Sequence, residues 1–442
     1  MYICTYIGVV IALGLQFILA KHSKTDVPEF SFLTHQSALD YVESNDSVTA
    51  HSDPPALAML LRLPLLLVAR YLHNGRLRLL FVALIVMLIG GIALTYNWQN
   101  DLQQCFMDIE EAIQSTVSNA DADPLAPIRL EDVLQAEPRP TPGRSIFFHE
   151  TSCHQAENKK YKLLELTARQ ACAIESAALH NPNFQVFVLF AGPTYRPSPK
   201  GRNNSNQQPL VDAILSYSNV HLRNLNLWRY AAGTPIEEWL KDGSLFRSRY
   251  LFSHISDFLR YLTLYRYGGL YLDMDVVVLQ KMEDVPPNYT GAESNTHLAA
   301  GVMSLAATGF GHEIAESCLR DFQHNFAGKD WGNNGPGVIT RVAQQICGTK
   351  DITLMQEDSK RCLGFKVYGR GAFYAVPWKQ WRDFFEPEKL EETMGRTKDS
   401  YVVHVWNKHS NQLPIKVGSN NAYAKYAEQN CPRAYRAAGE YF

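Results

Sequence analysis

Two carboxylates, Asp273 and Asp275, interrupt the stretch GGLYLDMDVVVL (Gly268–Leu279), whose other residues read as a buried strand. Leaving even one carboxylate unpaired in an apolar setting is unfavourable by several kcal/mol, so both need a compensating partner. On an extended strand, residues two apart point to one face. Paired carboxylates suit Mg²⁺ or Mn²⁺ shared with the oxygens of a substrate diphosphate. An EF-hand is excluded, because Val277 and Val278 fall where a further oxygen ligand and the turn glycine belong. The spacing alone is a weak signal, since Asp121-Ala-Asp123 repeats it in a Pro-rich, acidic stretch.

The neighbouring elements give the pair its context. In HISDFLRYLTLYRYGG, Ile255, Phe258, Leu259 and Leu262 recur at helical spacing, and Gly268-Gly269 closes the helix. Asp257 and Arg260, three apart, share another face. They read either as an exposed ion pair or as a polar face delivered to the acidic strand that follows. SIFFHE (Ser145–Glu150), FQVFVLF (Phe184–Phe190) and NVHLRNLN read as strands, and Lys162–His180 and Thr234–Asp242 as helices. This alternation predicts an α/β sheet, with ligands at the carboxyl ends of its strands.

The chain has 442 residues, 46% of them hydrophobic and 19% charged, enough for one large catalytic domain with extensions. A net charge of -2 argues against nucleic-acid binding. Leu79–Tyr96 carries no charge and as a helix would span roughly 27 Å, enough for a thin bilayer. Arg70, Arg76 and Arg78 precede it; Asp101, Asp108, Glu110 and Glu111 follow it. The positive-inside rule then places everything after Tyr96 in the lumen, the single-pass type II orientation. The first twenty residues are also apolar but lack a basic leader. A second span, a cleaved signal and an upstream extension remain alternatives for them. The expected organisation is therefore 1–78, the N-terminal segment and cytosolic region; 79–96, the membrane anchor; 97–143, a stem containing DADPLAP and EPRPTPG; and 144–442, the catalytic domain.

None of the eight cysteines shows zinc-site spacing. In a lumen they should form disulfides, and proximity suggests Cys153–Cys172 and Cys347–Cys362. Cys105, close to the membrane, is placed to link two chains in a homodimer. Sequons at Asn203 and Asn288 agree with a lumenal domain.

Over residues 145–442 the chain resembles the Golgi α1,4-glycosyltransferases, a family that includes lactosylceramide 4-α-galactosyltransferase and α1,4-N-acetylglucosaminyltransferase. The resemblance is carried by IFFHETS (Ile146–Ser152), SDFLRYLTLYRYGGLYLDMDVVVL, WGNNGPGVITRV (Trp331–Val342), AFYAVPWKQW (Ala372–Trp381) and YVVHVWNKHS (Tyr401–Ser410). It implies a GT-A-type nucleotide-sugar transferase fold and transfer with retention of anomeric configuration. It further implies that Asp273, Asp275 and His404 hold Mn²⁺ or Mg²⁺ on the diphosphate of UDP-Gal or UDP-GalNAc. On residue type alone, a lone His in an apolar strand is more often a satisfied core residue. Asp257, Arg260, Gly268, Gly269 and Tyr271 are expected on the donor side, and Asn334, Gly335 and Pro336 beside a glycosphingolipid acceptor. Trp331, Trp378 and Trp381 offer stacking faces for sugar rings, though burial is expected for at least two of them. Ala300-Gly301 stands where many relatives have Asn-Gly, and the smaller side chain suggests a roomier pocket that tolerates GalNAc. The sequence names no covalent nucleophile. An N-acetylhexosaminyltransferase acting on glycoprotein glycans and an inactive sugar-binding relative are the competing expectations.

Overall fold

The computed structural model describes residues 127–152, 162–197, 208–358 and 360–442, together with Met87 and Phe106. The chain divides into two units, residues 1–88 and 89–442, and all described residues except Met87 belong to the second. Apart from Met87, the expected membrane anchor lies outside the described residues, as do the first apolar segment, Cys105, Cys153 and Asn203. No helix among those described is long and apolar enough to cross a membrane.

The expected α/β architecture is present as a mixed seven-stranded sheet. Its strands are β1 (Ser145–Glu150), β2 (Gln185–Phe190), β3 (Val220–Asn224), β4 (Gly269–Leu272), β6 (Tyr289–Ala292), β7 (Leu298–Leu305) and β8 (Lys366–Tyr368). They lie in the order β3-β2-β1-β4-β7-β6-β8. Only β7 runs against its neighbours. Every residue of β1 is buried, and β2 is buried from Val186 onward. Central parallel strands are covered on both faces, which is why they read as continuous apolar runs instead of alternating.

Helix α1 (Ala168–His180) starts later than the sequence predicts. Thr167 caps it: its hydroxyl accepts from Gln170 N at 3.2 Å, while the Gln170 side chain accepts from Thr167 N at 2.8 Å. The residues ahead of the cap pair with the chain around Tyr195 instead. Helix α2 (Leu251–Tyr267) is buried on most sides, including Asp257 and Arg260, so the exposed-pair reading does not hold. Helices α3 (Phe310–His324), α4 (Pro336–Cys347), α5 (Ala422–Asn430) and α6 (Pro432–Ala437) complete the frame.

The acidic segment is not one strand. The chain leaves the main sheet after Leu272, turns through Asp273–Asp275, and enters β5 (Val276–Val278), which pairs antiparallel with β9 (Val402–His404). The turn is closed by Val276 N donating to Asp273 O at 3.3 Å. Two carboxylates are thereby kept out of the sheet's apolar interior and gathered at the carboxyl end of β4.

Residues 127–143, read from composition as stem, pack on the folded domain. Leu130, Val133 and Ala136 are buried, and Ile128–Arg129 pairs with Tyr195–Arg196. Cys347–Cys362 forms as expected. Cys172, however, bonds Cys431, tying α1 to the α5–α6 junction. Proximity in sequence misled because the C-terminal helices fold back onto α1. Nearby, the buried Glu175 carboxylate accepts from Arg433 N at 3.0 Å and Ala434 N at 2.6 Å, at the start of α6. Cys318 is a buried free thiol. The Asn288 sequon is folded inward: its Oδ1 accepts from Ala306 N at 2.9 Å, and Thr290 is fully buried.

Candidate functional site

At the carboxyl end of β4 each acidic residue spends one oxygen on its own placement. Asp273 Oδ1 accepts the Tyr271 hydroxyl at 2.7 Å and stands 3.2 Å from the Arg260 guanidinium. Asp275 Oδ2 accepts the Asn407 backbone N–H at 2.8 Å. The remaining oxygens converge on His404: Asp273 Oδ2 lies 3.5 Å from its Nε2, and Asp275 Oδ1 lies 3.1 Å from it. The β5–β9 register, which sets His404 opposite Val276, brings these distant parts of the chain together. Trp406 N–H approaches the other ring nitrogen, Nδ1, at 3.3 Å and orients the ring.

These three side chains fit a divalent cation. Each offers one ligand atom, and the atoms lie within 4.8 Å of one another. Adjacent octahedral ligands at 2.0–2.1 Å from an ion are about 3 Å apart, close to the spacing found. Room is kept by Gly301, where an added Cβ would lie 2.7 Å from Asp273 Oδ2 and 3.3 Å from His404 Cδ2. Two carboxylates and an imidazole suit Mn²⁺ well, and Mg²⁺ as a harder alternative.

Behind the cluster, Arg260 is the fixed cation. It pairs with Asp257 at 3.0 Å, donates to Ala300 O at 2.9 Å, and lies 4.8 Å from the Tyr271 ring centre. Burial would push Asp273 up, but Arg260 and His404 outweigh it and hold Asp273 well below the usual carboxylate range. Asp275 goes the other way: burial, with the charge of Asp273, lifts it despite His404. Burial lifts Asp257 to about 7 although Arg260 pulls it down. Burial alone would lower His404; Asp275 and Asp273 overcome that and raise it. Burial raises Glu293 against the opposing pull of His404. With Arg260 the one permanent cation among these carboxyls, the site favours added positive charge.

Several expected residues take other places. Gly268 and Gly269 lie at the opposite end of β4, about 13 Å away by strand rise. Both have positive φ, 59° and 85°. An added Cβ would lie 2.4 Å from Ala307 N or from Ser145 O respectively, so they shape the helix-to-strand turn. Tyr271 is 1% exposed and acts through Asp273. Asn334 is fully buried, bonded to Ala327 N and O and to His254, so it locks its loop. Gly335 does reach the cluster's rear: an added Cβ would lie 2.2 Å from Asp257 Oδ1, and its carbonyl accepts the Tyr261 hydroxyl at 2.6 Å. Pro336 begins α4 and is half-buried. Ala300 is buried and its methyl joins the core. Trp331 and Trp378 are 40% and 42% exposed, against the expectation that two tryptophans are buried. Lys408 caps the Trp331 ring at 3.2 Å, and Trp378 stacks on His409 at 5.6 Å. Sequence reasoning missed Gly301, Asn407, Glu293 and Tyr374; Asn407 and Tyr374 lie in two of the blocks that carry the resemblance.

Comparison with known proteins bears on the same residues. The family described as "Alpha 1,4-glycosyltransferase conserved region" matches residues 307–438. That described as "Glycosyltransferase sugar-binding region containing DXD motif" matches 167–292, which includes both aspartates. Lactosylceramide 4-alpha-galactosyltransferase of Homo sapiens is 31% identical over 68% of this chain and 79% of its own length. The Mus musculus protein of the same name is 31% identical over 69% and 79%. Alpha-1,4-N-acetylglucosaminyltransferase of Homo sapiens is 27% identical over 66% and 80%. A galactosyltransferase solved with donor and acceptor sugar analogs is 16% identical over 66% of this chain and 95% of its own, with a TM-score of 0.29, too low to carry fold or site across.

Proposed function

Because the chain belongs to the α1,4-glycosyltransferase family, we propose that it moves galactose or GalNAc from a UDP-sugar to the terminal sugar of a glycosphingolipid such as lactosylceramide, with retention and with a divalent cation. The convergence of Asp273 Oδ2, Asp275 Oδ1 and His404 Nε2 at a strand's carboxyl end carries this reading. The mixed sheet agrees with the GT-A-type fold that the family resemblance implies.

A bound Mn²⁺ or Mg²⁺ supplies neutralisation of the charge that develops on the departing diphosphate. The protein's part is positional. Tyr271, Arg260 and Asn407 fix the outer oxygens of the two aspartates, so that the inner ones, with His404 Nε2, would hold the cation with little reorganisation. Arg260 and His404 favour the ionised form of Asp273 against the opposing effect of burial. Beyond the cluster, Trp331 and Trp378 are partly exposed, and with Lys408 over one ring and His409 stacked on the other, each has at most one face left for an acceptor sugar. The type II anchor read from the charge flanks of Leu79–Tyr96 supports a Golgi location, with the site near the lumenal leaflet where such lipids lie.

Incubating the full chain with Mn²⁺, lactosylceramide and each of UDP-Gal, UDP-GalNAc and UDP-GlcNAc tests this. Mass spectrometry and proton couplings of the product should show one added α-linked hexose or N-acetylhexosamine on the 4-hydroxyl. A β-linked product, or transfer confined to protein-linked glycans, would overturn it.

A further inference from the structure

Several buried tyrosine hydroxyls in this domain are paired inside it. Tyr261 donates to Gly335 O, Tyr271 to Asp273, Tyr230 to Thr263, and Tyr426 pairs with Thr397. Among the described residues, Tyr374 breaks the pattern: it is 1% exposed and its hydroxyl has no hydrogen-bond partner. An unsatisfied buried hydroxyl is unfavourable by about 1–3 kcal/mol.

The hydroxyl's position is fixed. Tyr374 N donates to Arg370 O at 2.8 Å. Its ring lies against the backbone of β6, where an added Cβ at Gly291 would come within 3.0 Å of Tyr374 Cε2. On other sides it meets the rings of His404 at 5.7 Å and Trp406 at 5.9 Å. Flipping the ring leaves the para oxygen in place, so a ring flip gives it no partner. The His404 ring that Tyr374 packs against is the one on which Asp273 and Asp275 converge. A phenol keeps its proton at neutral pH, so this group is an O–H donor. A fixed, unpaired donor beside a cluster shaped for a cation and a diphosphate is prepared for something that arrives with the substrate.

We infer that Tyr374 contacts the donor, its hydroxyl hydrogen-bonding an oxygen of the UDP-sugar's sugar diphosphate. The inference rests on the transferase reading above. A diphosphate oxygen and a sugar hydroxyl present the same chemistry to a phenol, and the test separates them.

The test is Tyr374→Phe in the full chain, which keeps the ring packing and removes one oxygen. Thermal unfolding of wild type and variant is followed with Mn²⁺ alone, with Mn²⁺ and UDP, and with Mn²⁺ and UDP-galactose, beside initial-rate kinetics in UDP-galactose. Without nucleotide the variant should melt at or above the wild-type temperature, because no internal bond is lost. With UDP-galactose its stabilisation should shrink, and kcat/KM should fall about tenfold. Shrinkage with UDP as well assigns the diphosphate; shrinkage only with UDP-galactose assigns the sugar. A variant equal to wild type in both readouts overturns the inference and leaves the transferase reading standing. A variant that melts lower without nucleotide also overturns it, by showing an internal partner. A wild-type protein that neither UDP-galactose nor UDP-GalNAc stabilises or reacts with overturns both readings.

Discussion

His404 Nε2 lies 3.1 Å from Asp275 Oδ1 because β9 pairs with β5 in the register that sets His404 beside Val276. The same two strands anchor the backbone on either side, with Val405 N donating to Asp275 O at 2.9 Å. The imidazole is thus built into the acidic turn by main-chain geometry, and mutations there should separate stability from binding.

Asp275→Asn is the clearest such case. Burial and Asp273 both disfavour the Asp275 charge, so its removal should leave the cation-free protein as stable as wild type or slightly more so. Transfer should nevertheless fall by at least about 10²-fold, the scale seen when a charge-stabilising group is lost. Thermal unfolding without metal, set beside UDP release, checks both halves. A variant that folds and transfers at the wild-type rate would remove Asp275 from the site.

The pH dependence of cation binding follows from His404. Its value is raised above the ordinary 6.5, so near that pH the cation-free protein holds a proton there, between Asp273 and Asp275. That proton's contribution to stability is present at low pH and fades as pH rises through the raised value. A cation must displace it, so affinity for Mn²⁺ should climb with pH over the same range, and binding near pH 6.5 should release about one proton. Calorimetry in two buffers of different ionisation enthalpy measures this. Identical heats would show that His404 is not protonated there.

Gly335→Ala should be damaging in a way its position near the acceptor loop does not suggest. The new Cβ would lie 2.2 Å from Asp257 Oδ1 and must push that carboxylate away from Arg260. Overpacking of this kind destabilises by about 1–3 kcal/mol. Gly371→Ala, with no atom within 4 Å of the new methyl, should stay within about 0.5 kcal/mol of wild type. Denaturant midpoints for the two variants, equal to one another, would argue against a close approach at Gly335.

Loss of the Cys172–Cys431 bridge should be expensive, because the loop it closes spans a sequence separation of 259 residues. Replacing both cysteines with Ala should destabilise by about 2–5 kcal/mol. Unfolding under non-reducing conditions would show this, and an unchanged midpoint would mean that the C-terminal helices are held on α1 by packing alone.

The main features were legible in sequence where one physical signal dominated. Continuous apolar runs revealed β1 and β2, and helical spacing of Ile255, Phe258, Leu259 and Leu262 revealed α2. The two aspartates stood out because nothing in a buried strand explains them. What failed required the third dimension. An extended strand was assumed through Asp273–Asp275, but the chain turns there, since a sheet interior has no place for two charges. Gly268 and Gly269 adjoin the acidic residues in sequence, yet sit at the other end of the strand. Asn334 looked like a polar loop residue until its amide was found locked to Ala327 and His254. Cys431 gave no local sign of its partner. Tyr374, in an apolar block, is indistinguishable from a core tyrosine until its hydroxyl is found without a bond.

The central claim is that Asp273, Asp275 and His404 together hold a cation on which the donor diphosphate binds. Isothermal titration of the full chain with UDP-galactose, in Mn²⁺ and then in EDTA, tests it most directly. Binding should be clear with Mn²⁺, weaker by at least about tenfold in EDTA, and equally weak for Asp275→Asn under both conditions. Equal affinity of the wild-type protein with and without the cation would contradict the account.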